Sequence, residues 1–362
     1  MSEIKFKVLD SNKDFLAWND IIHNNLKINE IFFRCEYINL FTCQNIDKKI
    51  EILGNLFVAY NDKGNFWINP FLKSRINNYD HITCNDFFEI QTPYGYGGPY
   101  SNTRDPNFIS DSQDVYFNWC VKNKIVVEFV RFNPILDNKF FFNKIDKIYF
   151  ERNSRYFDLK LMNKELTNFS SKVRNKIKQA KKADIEIDFN LNKFNFNKFK
   201  DYYLNFIKSI KANKFYLFDI NYFEKLYELI NKLGFLVIAR HKKNFLGGSI
   251  FIGYKKNINY YLTVIPEKKV FPGINNLILI NGYLLSKEKG FEFCNLGGGI
   301  SNSGDSLYDF KKSMSNAEFG FYIGYKIYNH ILYQQIKNDY ILKYPIASQK
   351  NSSKILCYNF YD

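Results

Sequence analysis

Residues 235–264 read FLVIARHKKNFLGGSIFIGYKKNINYYLTV. Their β-branched and aromatic residues fall into three runs, Phe235–Arg240, Gly247–Gly253 and Asn259–Val264. Short polar turns separate the runs, which predicts a meander of three strands. A helix over about Ile274–Lys289, closed by Gly290, and a strand over Phe291–Asn295 are predicted to follow. A meander, a helix and a crossover strand together indicate an α/β layer in this half of the chain.

The segment before the meander is basic and has the periodicity of a helix. Within Glu165–Ala183 lie six cationic side chains, Lys172, Arg174, Lys176, Lys178, Lys181 and Lys182. At about 100° per residue, Val173 and Ile177 share one face, and Arg174 and Lys178 share another. One face is therefore expected to pack on a core, and the other is expected to bind phosphate.

The remaining segments predict both helices and strands in the first half of the chain, and a short connection to the second half. Helices are predicted at 11–25 and 112–122, and strands at 53–60 and 125–130. A polar link over Glu151–Arg155 is predicted to lead to a short strand over Tyr156–Leu159. After the basic helix, a strand over Ile185–Phe189 and two helices, at about 195–210 and 220–232, complete the prediction. With 362 residues, two domains are expected.

Composition and charge narrow the functional classes. A hydrophobic share of 46% and an aromatic share of 19% exclude a disordered or low-complexity chain. The net charge is +15, and its excess lies after residue 150, where 34 basic residues face 18 acidic ones. This asymmetry suggests an anionic partner such as a nucleotide, coenzyme phosphates, tRNA or a membrane surface.

Other sequence features bear on metals and on the cellular compartment. The six cysteines form no C-x-x-C pair and the four histidines are far apart, so no metal is expected. No run of about 18 apolar residues and no signal peptide is found, which predicts a cytoplasmic protein with reduced thiols.

Two motifs in the first half suggest binding residues. The loop YGYGGP, residues 94–99, alternates tyrosine with glycine, so its backbone can approach a ligand while Tyr94 and Tyr96 stack or hydrogen-bond. In the strand VEFVRFNP, residues 127–134, Arg131 and Asn133 share one face and Glu128 lies on the other. Arg131 is a candidate fork for a carboxylate or phosphate, although an ion-paired structural arginine is an equal alternative.

A third motif, LGGGISNSGDSLYDFKKS, covers residues 296–313. The amides of Gly298 and Gly299 directly follow a strand, where they can bind an anion or a carbonyl oxygen. Asp305 or Ser306 is expected to cap the next helix, and Lys311 lies about two turns further along.

In chain order, the YGYGGP loop, the VRFNP strand end, the helix SSKVRNKIKQAKK, the strands FLVIAR and LGGSIFIGY, and the ending CNLGGGISNSGDSLYDFKKSMS resemble the FemAB-like peptidyl- and acyltransferases of the GNAT fold. The resemblance spans roughly residues 50–325. It implies two tandem GNAT-like domains that face each other across a cleft, residues 1–152 and 153–316, each a mixed, mostly antiparallel sheet flanked by helices. Residues 317–362 would pack back on the first domain.

The resemblance also implies partners and site residues. Well-known members transfer an aminoacyl group from tRNA to an amine of a nucleotide-linked cell-wall precursor, and others acylate glycan amines. Lys311, after Phe310, would contact the acceptor phosphate or the reacting carbonyl, and Arg174 would bind a nucleotide diphosphate. The donor loop of acetyl-CoA enzymes is reduced here to residues 268–274, which include Lys269 and Gly273.

Amide formation needs a neutral amine, a proton acceptor and donors for the oxyanion. The glycine turn, the Asn259–Val264 strand and Lys311 are candidate donors for the oxyanion. Asp305, Glu128 and Glu267 are candidate proton acceptors. No histidine is predictably beside a cysteine or serine, so direct transfer without a covalent intermediate is expected.

The preferred hypothesis is an N-acyltransferase that acts on a nucleotide- or carrier-linked amino sugar in surface-glycan or cell-envelope synthesis, with acyl-CoA as donor. The first alternative is an aminoacyl-tRNA-dependent aminoacyltransferase that acts on a peptidoglycan precursor. The second alternative is a nucleic-acid-binding protein without catalysis, which would use the basic second half.

Overall fold

The computed structural model describes residues 3–45, 50–76, 86–210, 214–266, 270–299 and 305–360. The elements of the first half are β1 (Lys5–Asp10), α1 (Phe15–Asp20), α2 (Cys35–Asn39), β2 (Cys43–Asn45), β3 (Ile50–Tyr60), β4 (Phe66–Arg75), β5 (Phe88–Gln91), β6 (Tyr100–Ser101), α3 (Pro106–Lys122), β7 (Ile125–Arg131) and β8 (Lys147–Asp158). A π-helical turn, Ile21–Asn25, extends α1.

The second half continues with α4 (Ser171–Lys182), β9 (Glu186–Asp188), α5 (Lys193–Ser209), α6 (Ile220–Leu233), β10 (Gly234–His241), β11 (Asn244–Tyr254), β12 (Asn257–Val264), α7 (Ile274–Glu288), β13 (Phe293–Gly297), α8 (Ser306–Ser313), β14 (Ala317–Ile327), α9 (His330–Lys343) and α10 (Pro345–Asn351). In the described ranges, no helix is long and apolar enough to span a bilayer.

The chain divides into two compact units. Unit 1 comprises residues 1–28, 32–151 and 320–362, and unit 2 comprises residues 29–31 and 152–319. In unit 1 the strand order is β1-β3-β4-β5-β7-β14, with β5 and β7 parallel and the other pairs antiparallel. In unit 2 the order is β8-β13-β12-β11-β10-β9, with β12 and β13 parallel. The predicted mixed, mostly antiparallel sheets are therefore confirmed.

The predicted polar link at residues 151–155 is wrong, because these residues lie inside the twelve-residue strand β8. Their polarity is explained by partners that are distant in sequence. Ser154 is fully buried, and its hydroxyl donates to Asn295 Oδ1 at 3.1 Å. Arg155 pairs with Glu318 at 2.6 Å. Polar side chains that find such partners are compatible with the middle of a strand.

The core of unit 2 confirms the predicted packing face of the basic helix. Val173, Ile177 and Ala180 of α4 are buried in one cluster with α7, while the cations of α4 lie outside it. The three predicted strands of the meander are β10, β11 and β12, and the predicted helix is α7.

Unit 1 buries one carboxylate on each face of its sheet. Glu128 of β7 is 1% exposed and accepts hydrogen bonds from Asn69 Nδ2 (2.7 Å), Tyr116 OH (3.0 Å) and Tyr328 OH (2.7 Å). Glu89 of β5 is also 1% exposed and accepts from Tyr358 OH at 2.7 Å. Because Glu89 pairs with Val127 while Ile90 pairs with Glu128, the two carboxylates point to opposite faces.

Replacing Glu128 with Gln is expected to remove a pH dependence of stability. Burial raises the pKa of Glu128 from 4.5 to about 7, against the smaller opposing effect of its three hydrogen bonds. The folded state therefore holds this proton more tightly than the unfolded state, and the stabilisation disappears as the pH rises through about 7. Urea unfolding would be measured at pH 5 and at pH 8. Between these two pH values, the free energy of unfolding of wild type should fall by about 2–3 kcal/mol more than that of the variant. An equal loss in both proteins would contradict this assignment.

Candidate active site

The parallel strands β12 and β13 of unit 2 pair over only three residues and then separate. The pairs are Asn257 with Phe293, Ile258 with Cys294, and Asn259 with Asn295. Directly beyond them, the register of β12 against β11 skips Tyr261, so that β12 carries a bulge where it leaves β13. Bulges bend a strand and are frequent beside active sites. This open end of the sheet is the candidate site.

A buried chain of polar side chains connects three strands at the open end. Asn295 Nδ2 donates to Asn259 Oδ1 at 3.0 Å, and Asn295 Oδ1 accepts from Ser154 Oγ of β8. The same oxygen accepts the backbone N–H of Gly297 at 2.8 Å. Asn259 and Asn295 are each 4% exposed. These bonds fix the point at which the glycine turn begins.

Two cations hold the glycine turn by its carbonyl groups. Lys311 Nζ donates to Gly298 O at 2.6 Å, and Arg152 Nη1 donates to Gly299 O at 2.6 Å. The Arg152 side chain also passes over the Gly298 Cα, because a Cβ added there would lie 2.6 Å from Arg152 Cδ. The structure thus brings together Lys311, Gly298 and Gly299. Residues 300–304 of the motif lie outside the described residues.

Helix α8 positions Lys311 through its two ends. Asp305 caps the helix, since its Oδ1 accepts the Leu307 N–H at 2.9 Å. At the other end, Met314 is fully buried and its carbonyl accepts from Tyr283 OH at 2.7 Å. Phe310 packs against the core of unit 2. With both ends anchored, the Lys311 side chain has a defined direction.

The pKa of Lys311 is lowered from 10.5 to about 8. Burial is the largest cause, the nearby Arg152 charge lowers the pKa further, and Asp305 opposes both. The ammonium is therefore the main form at neutral pH, but it loses its proton in mildly alkaline solution. A lysine of this kind is typical of functional sites, where a cation is held in a desolvated position.

A cluster of hydroxyl and amide groups lies on β11, β12 and the first turn of α7. Tyr260 OH donates to Asn275 Oδ1 at 2.9 Å, and Thr263 Oγ1 donates to Ser249 Oγ at 3.0 Å. Burial raises the pKa of Tyr260, and hydrogen bonds from Thr263 and Ser249 oppose this. Beside Asn275, Asn276 Nδ2 contacts Met314 Sδ at 3.1 Å, which links this cluster to the end of α8.

The sequence motifs predicted no role for Arg152, Asn295, Tyr260, Thr263 or Ser249. A detectable signal was the succession of polar residues inside otherwise apolar strand runs, such as Asn259 and Thr263 in NINYYLTV. Buried polar side chains within a strand require partners, and those partners often define a site. Their identity depends on strand order, which the sequence pattern does not give.

Gly273, predicted for the donor, directly precedes α7, and Arg174 and Lys178, predicted for a substrate phosphate, lie on α4. Gly273 has φ +87°, and a Cβ there would lie 2.1 Å from the Lys176 carbonyl oxygen, so the close contact between α4 and α7 already requires glycine. Arg174 donates to the Phe169 carbonyl and to Ser171 Oγ at the start of its own helix. Lys178 is exposed on α4. Lys269 and Glu267 lie outside the described residues.

The predicted acceptor loop is tightly built into unit 1. Arg131 Nη1 donates to Thr92 O at 2.9 Å, and its guanidinium lies 4.6 Å from the Phe129 ring centroid. Tyr94 O accepts from Tyr37 OH at 2.5 Å. Tyr96 is 8% exposed and packs edge-on against Phe32 and Phe321. These contacts account for the loop as a structural feature of unit 1.

Two further predicted residues of unit 1 also have structural partners. Asn133 is fully buried; its N–H donates to Asn138 Oδ1 at 2.7 Å, and Asn138 Nδ2 in turn binds the Gly97 and Pro99 carbonyls. Glu128, a predicted proton acceptor, is the buried carboxylate of β7 that three donors already bind. In unit 1, the predicted residues thus support the loop and the core.

Solved structures of low sequence identity share this fold. The crystal structure of FemX matches with a TM-score of 0.59 and 12% identity, covering 78% of this chain and 90% of that chain. The C-terminal DUF2156 domain of an Agrobacterium fabrum protein assigned as a lysylphosphatidylglycerol synthetase matches with a TM-score of 0.54 and 11% identity, covering 89% and 93%. A tandem GNAT protein from the clavulanic acid pathway matches with a TM-score of 0.50 and 8% identity, covering 89% and 98%. The predicted FemAB-like, tandem GNAT-like fold is confirmed.

No protein-family model matches the chain. Among curated proteins, Protein Ycf2 of Physcomitrium patens is 26% identical over 350 residues, which cover 91% of this chain. The chain spans 13% of the length of that protein.

Proposed function

We propose that this protein is an acyltransferase whose active centre is the open end between β12 and β13. The observation that carries the proposal is the glycine turn at this point, whose Gly298 carbonyl is held by the half-buried Lys311 with its lowered pKa. The shared fold with FemX and with a tandem GNAT protein supports the same reaction class. The acyl group passes directly from the donor to an amine: the C–N bond forms, the C–S or C–O bond of the donor breaks, and the departing thiolate or alkoxide takes up a proton.

The residues at the open end have distinct roles in this proposal. An ammonium has three N–H donors, and Gly298 O takes one of those of Lys311. Lys311 stabilises the oxyanion that forms when the amine attacks the donor carbonyl. The proton that leaves the amine passes to Asp305 or, through the hydroxyls of Tyr260 and Thr263, toward solvent. Arg152 positions the turn.

Acyl-CoA is the proposed donor, and an amine of a nucleotide- or carrier-linked amino sugar is the proposed acceptor, in envelope or surface-glycan synthesis. The second candidate is aminoacyl transfer from tRNA to a peptidoglycan or lipid acceptor. The fold similarity to FemX and to the lysylphosphatidylglycerol synthetase domain favours this candidate. In both cases the net positive charge of residues 152–319 favours an anionic donor.

Donor binding separates the two candidates. Calorimetry with acetyl-CoA and a filter-binding titration with charged and uncharged tRNA, at moderate salt, would be carried out on the same preparation. Micromolar coenzyme binding supports acyl-CoA as donor, and a saturable preference for charged tRNA supports aminoacyl transfer. Equal affinity for charged and uncharged tRNA with a steep salt dependence would instead indicate a nucleic-acid-binding protein without catalysis.

The rate is expected to fall as the pH rises through about 8. Lys311 acts in its protonated form, and its pKa is lowered to about 8, so alkaline pH removes the charge that stabilises the oxyanion. A pH profile of kcat/KM should show this descending limb. In Lys311→Arg the limb should move above pH 10 or so, because a guanidinium keeps its proton there. An unchanged limb in that variant would assign it to another group.

A further inference from the structure

Helix α9 exposes large apolar side chains to solvent. Its other side packs into the core of unit 1 through four residues, Leu332, Tyr333, Ile336 and Tyr340. The exposed fractions are 86% for Ile331, 44% for Ile341 and 82% for Leu342, and Ile346 at the start of α10 is 73% exposed. Single exposed apolar residues are common, but four within such a short segment form a patch.

The exposed side of α9 carries no charge. We call it the α9 face; at about 100° per residue, its members lie within about 60° of Asn338 and are Ile331, Gln334, Gln335, Asn338, Ile341 and Leu342. All six side chains are exposed. The charged residues Lys337 and Asp339 flank the face, at about 100° on either side of Asn338. The face is therefore apolar at its two ends and has amide groups in its middle.

The first half of the α9 face contains an open hollow. Its lining residues are His330, Ile331, Gln334, Gln335, Asn338 and Asp339. Four of them, starting at Ile331, have the spacing i, i+3, i+4 and i+7, which is the arrangement that receives one side chain of a facing helix. Leu342 lies about one turn beyond Asn338 and projects into solvent. One helix thus contains both a hole and a side chain that fits such a hole.

We propose that the α9 face binds the same face of a second copy of this chain, with the two helices antiparallel. Leu342 lies four residues after Asn338, and the hollow is centred between three and four residues before it. A two-fold axis beside Asn338 therefore places Leu342 of each copy in the hollow of the other. The same axis brings Ile331 to the far end of the other helix, so the apolar ends of both faces are covered.

Charge and polarity favour a second copy over other partners. The net charge of +15 opposes the approach of two copies, and this repulsion is weakest where the contact faces are uncharged. Nucleic acid and an anionic bilayer bind through cations, which the α9 face does not have. A neutral lipid surface would cost the three amides of the face their hydrogen bonds, whereas across the two-fold axis amide meets amide.

The size of the contact sets the expected affinity. Helix α9 has 14 residues and is therefore about 21 Å long. Two such helices in contact form an interface at or below the lower end of the usual range, about 1,200 Å² in total. We expect a dissociation constant in the micromolar range, because such a small apolar contact must also offset the lost freedom of two molecules.

Sedimentation equilibrium of the full chain tests the dimer without any substrate, so its outcome is independent of the proposed reaction. In about 0.3 M salt, which screens the charge repulsion, the mass of wild type should rise toward twice the monomer mass between about 1 and 100 µM. Leu342→Asp puts a carboxylate into each hollow and should weaken the dimer at least about tenfold. The matched control is Val121→Asp, at a 60% exposed residue of α3, which should dimerise like wild type.

Cross-linking tests the position of the axis. Asn338→Cys brings two thiols together across the axis, so oxidation by air with copper phenanthroline should give a disulfide-linked dimer. Asn118→Cys, at an exposed residue of α3, is the control and should cross-link no more than wild type.

Three results would overturn the proposal. They are a monomeric wild type at about 100 µM, an equally stable dimer in Leu342→Asp, and equal cross-linking of the two cysteine variants. A monomeric wild type that sediments with phosphatidylcholine vesicles would also overturn it, and would assign the α9 face to a lipid surface.

Discussion

Lys311→Met is expected to lower turnover by about 100-fold or more while leaving the protein at least as stable as wild type. Losing one preorganised charged donor to an oxyanion has an effect of this size. Methionine has a similar volume and an unbranched chain, so it fills the space beside Gly298 without a charge. The variant would be compared with wild type by kcat and by thermal unfolding.

The stability part of this prediction follows from the lowered pKa of Lys311. Because its pKa in the folded state, about 8, lies below its ordinary value of 10.5, folding disfavours the charged form. At pH 7 the full cost of burying the ammonium opposes folding, and the cost disappears as the pH rises from about 8 to above 10.5. Methionine removes this cost and also the hydrogen bond to Gly298 O. The unfolding midpoint at pH 7 should therefore be unchanged or higher.

Lys312→Met provides the matched control, since Lys312 is the exposed neighbour on the same helix. Its turnover is expected to remain within a factor of about two of wild type, and its thermal unfolding midpoint should be close to that of wild type. Near-normal turnover of Lys311→Met would refute the role of Lys311. A large loss of stability in that variant would show that the lysine is a structural residue of the glycine turn.

Gly273→Ala is expected to destabilise unit 2 by at least about 3 kcal/mol. The added Cβ would lie 2.1 Å from the Lys176 carbonyl oxygen and 2.7 Å from its carbonyl carbon, so the backbones of α4 and α7 would have to separate. The residue also has φ +87°, where alanine is strained. Both effects act on the folded state and require no ligand.

Gly290→Ala separates the two effects. Gly290 has φ +85° at the end of α7, but a Cβ there would meet no atom within 4 Å. Its cost is the conformational strain alone, about 1 kcal/mol. Urea unfolding of both variants should show the larger loss for Gly273→Ala. Normal stability of Gly273→Ala together with weakened donor binding would instead assign Gly273 to a phosphate site, as the donor-loop resemblance implies.

Elements with a strong local pattern could be predicted from the sequence. The strands β10, β11 and β12 and helix α7 follow from apolar runs, turns and a closing glycine. The capping of α8 by Asp305 follows from a side chain that binds an amide two residues away. Strand β4 was missed, because Pro70 interrupts its run, although Pro70 pairs with Leu56 of β3.

The candidate site could be predicted only in part. Lys311 and Phe310 belong to α8, Asp305 caps it and the glycine turn precedes it, so a single motif contains them. Arg152, which holds the Gly299 carbonyl, is 147 residues away in the chain. Ser154 and Asn295 are separated by 141 residues. Such pairs form only when the strands take their order in the sheet. Because the partners are so far apart in the chain, no local sequence pattern predicts that they meet.

The sequence by itself determined the local elements, the buried face of α4 and the basic character of the second half, because side-chain alternation, helix caps and charge are properties of neighbouring residues. The tertiary structure decided which polar groups meet at the end of β12 and β13, and that Glu128 is a buried carboxylate with three donors. A polar residue in a strand is compatible with a core or with a site. Only its partners, which folding brings from distant parts of the chain, distinguish the two.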